Sequence, residues 1–136
     1  MPPKGKSRTL SDLRSTILAA SDIRSQIVEV PEWGVSVEVR SMTARDRTRI
    51  MSEASKNDGV VDIGFMYVET VLTSTYDPET GLRVFEDSDR DAVMAKSASA
   101  IDRLAVLGMQ LSGIDQEAQD NAKRQFPEES SEEVPV

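Results

Sequence analysis

The sequence predicts an α+β fold: a small, mostly helical domain with an N-terminal β-hairpin and disordered termini. Three observations carry this. Val35, Val37 and Val39 alternate with Ser36, Glu38 and Arg40, a period of two that puts one face of a strand inward. Ile101, Leu104, Ala105, Gly108 and Leu111 recur at helical spacing. Both ends are polar and unevenly charged, with Lys4, Lys6, Arg8 and Arg14 at the start and Glu128, Glu129, Glu132 and Glu133 at the end.

The elements follow in chain order. Residues 1–9 read as a disordered basic start, 10–126 as a single α+β domain, and 127–136 as a disordered acidic tail; a chain of 136 residues suits one domain. Ser11 is placed to cap a short helix whose Leu13, Ile17 and Ala20 share a face. "SDLRS" at Ser11–Ser15 returns as "SDIRS" at Ser21–Ser25, too short an echo to make a repeat. A hairpin follows over about 27–41. Pro31 must stand at a strand end because it donates no ladder hydrogen bond, and Gly34 permits the turn. A two-stranded hairpin is marginal alone, so the valine face must pack on something.

Thr43 caps a helix over about 44–56, with a thin stripe of Ala44, Met51 and Ala54. "KNDG" at Lys56–Gly59 is a turn signal. Residues 60–73 are the most apolar segment. Val61, Phe65, Val68 and Leu72 fit a helix, Ile63, Phe65, Tyr67 and Val71 nearly fit a strand, and length favours the helix. Asp77–Gly81 reads as an ordered turn or small hairpin. Ser88 opens a helix over about 88–96, and Ser97 or Ser99 opens the next, over about 98–112. Gly108 allows a close backbone approach there and Gly113 terminates it. A last polar helix is expected over about 115–125.

Composition narrows the chemistry. Cysteine and histidine are both absent, which removes disulfides, thiolate and imidazole metal sites and histidine-based nucleophilic triads. A net charge of −8 disfavours nucleic acid as a partner. No stretch approaches the ~20 apolar residues of a membrane span, so no membrane partner is expected. Asp87, Asp89 and Asp91 imitate the first ligands of a calcium loop, but Ala92 holds the glycine slot and Ala98 the bidentate glutamate slot; carboxylates at a helix start suit the dipole better. Arg45, Arg47 and Arg49 are spaced by two, which spreads them around a helix. No metal, cofactor or catalytic residue is expected. The residues describe a binding protein and name no ligand.

The order of motifs adds more. In "VEVPEWGVSVEVRSMTARDR", the residues Val30-Pro31-Glu32-Trp33-Gly34, Val37, Val39-Arg40, Met42-Thr43 and Arg45-Asp46-Arg47 resemble the front module of the tail assembly chaperones of long-tailed siphophages. "YDPETGLRVF", the Phe85–Asp89 helix start and Ala100–Gly113 resemble that family's later segments, so the likeness spans roughly 27–113. Val35 stands where the family usually has a second glycine, and the basic start is extra. The resemblance implies a protein that binds the tape measure protein and keeps it soluble while tail tube subunits polymerise around it. It implies the host cell cytoplasm, absence from the mature virion, and a longer frameshifted form of the same chain as a companion. A homo-oligomer is compatible with it. Binding, not catalysis, is the implied mode. Trp33, Phe65 and Tyr67 are the candidate partner-binding residues, and each has a competing role in the core. For Trp33 that role is a lid sealing the hairpin onto the helices. Two other classes stand beside this reading. One is a virion structural protein such as a tail-tube or head–tail connector subunit. The other is a DNA-binding regulator using the arginines near the hairpin, against which the net charge argues.

Overall fold

The structure is a computed structural model that describes residues 8–56 and 60–114. It is α+β. Helices α1 (Leu10–Ala19), α2 (Ala44–Ala54), α3 (Ile63–Ser74), α4 (Arg90–Met94) and α5 (Ala98–Leu111) accompany a small sheet of β1 (Ser25–Val30), β2 (Val35–Arg40) and β3 (Thr75–Tyr76), against which α3 and α5 pack. The sheet is antiparallel in the order β1-β2-β3. The expected turn over 56–59 and the helix over 115–125 fall mainly or wholly outside the described residues, as do residues 1–7 and the acidic tail.

The hairpin begins two residues before the expected start and pairs Val28 with Val37 and Val30 with Val35. Val30, Val37 and Val39 are buried, but Val35 is 51% exposed. The three valines share a face, as the period of two requires. Val35 lies at the tip, beyond the helices that cover the other two. β3 extends the sheet on the far side by pairing Val39 with Thr75. The helix–strand ambiguity of the apolar segment resolves as α3, capped by Asp62, whose carboxylate accepts from the Phe65 amide at 3.0 Å. α3 is the central element. Val68, Val71 and Leu72 are buried on it, and it contacts α2, α4, α5 and β2. Val61 precedes the helix and is exposed, so it leaves the expected stripe, and Met66 joins the core instead.

Several local expectations are corrected. Thr9, not Ser11, caps α1; its hydroxyl accepts from the Asp12 amide while the Asp12 carboxylate accepts from the Thr9 amide. This reciprocal capping box satisfies two donors that a cap at Ser11 would leave free. No residue of α1 is buried. In α2 the inward residues are Ile50 and Ala54, while Ala44 and Met51 are exposed. Ile50 and Ala54, four residues apart, make the inward face, and Arg49 beside them reaches Glu69 of α3 at 3.2 Å. Ser88 does not open α4. A single 3-10 turn, Asp87–Asp89, leads into it, and the Asp89 carboxylate accepts from the Glu86 amide at 2.8 Å.

α5 packs against α3 and β2. Ser97 is its cap. Ala100 and Met109 join Ile101, Leu104 and Ala105 in the core, while Leu111 is only half-buried. Gly113 terminates the helix with a φ of 82°. The last carbonyls of α5 lack helical partners, and arginines supply them. Arg24 donates to the Leu111 carbonyl at 3.2 Å and Arg47 to that of Ser112 at 3.3 Å, while the Ser112 hydroxyl accepts from the Met42 amide at 2.8 Å. These bonds fasten α5 to the chain on either side of the hairpin.

Candidate functional site: a groove beside the hairpin corner

The corner Pro31–Gly34 is built by backbone hydrogen bonds. The amides of Trp33 and Gly34 both donate to the Val30 carbonyl at 3.0 Å. Gly34 has φ 68°, in the left-handed region, and a Cβ there would meet nothing within 4 Å, so backbone conformation alone calls for glycine. The corner is then fixed to α5. Arg103 donates through both terminal nitrogens to the two carboxylate oxygens of Glu32, at 2.6 and 2.9 Å. That guanidinium, helped by a backbone amide bond at Glu32 itself, holds the Glu32 carboxyl at about 2, below its ordinary 4.5. The same pairing raises the Arg103 pKa.

Fixing the corner presents Trp33. Its ring is half-buried, packed against the core on one side. On the other side it borders a groove of about 620 Å³ that also includes Val84, Phe85, Ala92 and Val93. That volume falls within the ~300–1,000 Å³ of ordinary ligand sites.

The facing wall is positioned by the turn after β3. The Asp77 carboxylate accepts from the Glu79 amide and the Thr80 hydroxyl, both at 2.9 Å, and these bonds lower its pKa. Gly81, at φ 76°, reverses the chain. Arg83 donates to the Leu72 carbonyl at 2.7 Å, and the Val84 amide to the Thr75 carbonyl at 3.0 Å. α4 is held below by the buried Val93 and by Arg90, whose guanidinium meets the Glu69 carboxylate of α3. Glu69 is 1% exposed and also receives Arg49 at 3.2 Å, so one buried carboxylate joins α2, α3 and α4 through two arginines.

The sequence candidates are not gathered in one place. Trp33 borders the groove, while neither Phe65 nor Tyr67 does. Phe65 is half-buried on α3 with the Arg90 guanidinium 6.0 Å from its ring centre, and Tyr67 is half-buried against the core. Phe85, Val93 and Arg103 are the residues that sequence reasoning passed over. Phe85 belongs to a recognised motif, but nothing local in the sequence points it toward Trp33. Arg45, Arg47 and Arg49 are separated, as their spacing implies: Arg47 turns to α5, Arg49 to Glu69, and Arg45 is exposed. Among the described residues no group of three or more acidic side chains is arranged to hold a metal ion, and no helix is long and apolar enough to cross a membrane.

An apolar groove with an aromatic wall and a charged rim is equipped for binding. The profile of the phage tail assembly chaperones matches residues 12–124, most of the chain. The chain belongs to the phage tail assembly chaperone family. Its fold is similar to that described as the structure of the bacteriophage HK97 tail assembly chaperone, with a TM-score of 0.55 and 22% identity over 75% of this chain and 95% of that one. No curated protein gives a significant match. The "VPEWG" corner therefore sits inside the segment that the family profile covers, and in this chaperone it forms one wall of the groove.

Proposed function

We propose that this tail assembly chaperone binds the tape measure protein, keeps it soluble and promotes assembly of the tail tube around it. Family membership over residues 12–124 is the observation that carries the reading. The surface is consistent with it. Besides the groove, Leu10, Ile17 and Leu18 of α1 are 81%, 60% and 68% exposed, apolar side chains that a partner could cover. The partner's apolar stripes would be covered by such surfaces, while the net charge of −8 keeps the complex soluble. Several copies along one long partner would act through avidity.

The action is binding without catalysis. It takes place in the host cytoplasm and ends before the virion matures. Trp33 is the leading contact residue, with Phe65 and Tyr67 secondary. Tail tube subunits and a longer frameshifted form of this chain are the further partners in this reading, and self-association is compatible with it.

Co-expression tests it. The tape measure protein of the same phage is expected to move from the insoluble to the soluble fraction with this chain and to co-purify with it. Failure to co-purify, together with the chain's presence in purified particles, would overturn the reading in favour of a virion structural subunit. Intact mass analysis of the gene expressed with its native downstream DNA tests the longer form.

A further inference from the structure

The groove has a direction. Asp89, Ala92, Val93 and Lys96 line one wall, at spacings of three, four and seven residues. Asp89 stands just before α4 and Lys96 just after it, so about two turns of backbone, roughly 10 Å along the axis at helical rise, separate the two residues. Neither has an ion-pair partner among the described residues. The other carboxylate of the lining, Glu32, is already held by Arg103. One oxygen of the Asp89 carboxylate accepts from the Glu86 amide at 2.8 Å, but its charge, like that of Lys96, has no ion pair; between the two the wall is apolar and narrow in side chain, with Ala92 at its middle and Trp33 and Phe85 around it.

The geometry points to this groove as the docking site for a single amphipathic helix of the partner, with a defined charge order. That helix carries a basic residue opposite Asp89, a bulky apolar residue over Ala92 and against Trp33, and an acidic residue opposite Lys96, about two turns from the basic one. This rests on the tape measure reading above and names the kind of tape measure segment bound. The charge complementarity is positional: a segment with its basic and acidic residues exchanged meets like charges at both ends. A helix is favoured over an extended strand because the walls are a helix face, a turn and side chains. They offer no free strand edge, and a helix satisfies its own backbone. Trp is enriched among the energetic anchors of protein interfaces.

The test uses the full chain and overlapping synthetic peptides covering the tape measure protein, read by peptide anisotropy and by emission of the single tryptophan, Trp33. Binding peptides are expected to be helical, to carry the basic–apolar–acidic order and to shift Trp33 emission. Ala92→Trp fills the recess from an exposed position on α4, and is expected to weaken binding by roughly thirtyfold or more. Lys96→Glu is expected to weaken it about fivefold, and replacing the peptide's facing acidic residue with Lys should restore it. Both variants should keep the wild-type circular dichroism. If peptides or co-expressed tape measure protein bind both variants as they bind wild type, the groove assignment is overturned while the chaperone reading stands. If wild-type chain binds neither the peptides nor the whole tape measure protein, both fall.

Discussion

The guanidinium of Arg103 grips the carboxylate of Glu32 through two hydrogen bonds across 71 residues of chain, and so fixes the hairpin corner to α5. Bidentate arginine–carboxylate pairs add directional restraint as well as attraction. Here the restraint acts one residue away from Trp33, on the wall of the groove.

That pair gives a pH dependence of known sign. Glu32 is held at about 2 in the folded chain against an ordinary 4.5. A carboxyl with a depressed folded value stabilises the fold fully above its unfolded value and loses that contribution as pH falls toward the folded one. Glu32→Gln is therefore expected to lower the melting temperature at neutral pH. The gap between variant and wild type should close as pH is taken from about 4.5 down to about 2, and should narrow with added salt at neutral pH. Thermal melts followed by circular dichroism check this. A gap that persists unchanged at the acid end would sink the assignment.

Glu69 makes a second, stricter prediction. Its carboxylate is buried, with Arg49 and Arg90 as its cations. Arg49→Ala or Arg90→Ala alone leaves one partner, and each is expected to cost about 1–2 kcal/mol. Removing both strands a buried charge, which should cost about 5 kcal/mol or more, exceeding the sum of the singles. Urea denaturation of the four chains measures the coupling. Simple additivity would mean that Glu69 is relaxed by water in the double variant.

Gly108 predicts a steric clash with a specific rescue. A Cβ on Gly108 would lie 2.8 Å from Cγ2 of Thr70 on α3. Thr70 is buried and its β-branched side chain has little rotamer freedom. Gly108→Ala should gain helix propensity of about 1 kcal/mol yet lose about 1–3 kcal/mol to overpacking, for a net loss. Adding Thr70→Ser removes Cγ2 and should return most of the stability. A Gly108→Ala chain that melts above wild type would show that α3 and α5 separate freely.

Local stability should differ sharply along the chain. α1 has no buried residue and ten residues in all, a length that is marginal for an isolated helix despite its capping box. Its amides are expected to exchange with less than about tenfold protection, while those of α3 and α5 exchange only through global unfolding. Hydrogen exchange by mass spectrometry resolves the two. Binding of the tape measure protein over Leu10, Ile17 and Leu18 would raise the protection of α1 selectively.

The sequence by itself determined the elements whose causes are local. A period of two made β2, helical spacing made α5, Thr43 capped its helix, Ser97 was one of two candidate caps for α5, and Gly34 and Gly113 marked a turn and a helix end where φ is positive. It also carried the family resemblance through the order of its motifs. Chain folding alone decided what depends on contacts between distant segments. On α2 the inward face is Ile50 and Ala54, four residues apart, while the Glu69 carboxylate that Arg49 reaches lies 20 residues away and is not legible from the helix itself. The cap of α1 went to Thr9 because a reciprocal pair with Asp12 satisfies more donors than Ser11 could. Trp33 was visible as a candidate from its unusual place in a turn. That it would share a groove with Phe85 and Val93 was not, because those residues lie more than 50 positions away and local periodicity holds no information about a partner that distant. Tertiary packing alone supplies it, through the Glu32–Arg103 pair on one wall and the Glu69–Arg90 pair beneath the other.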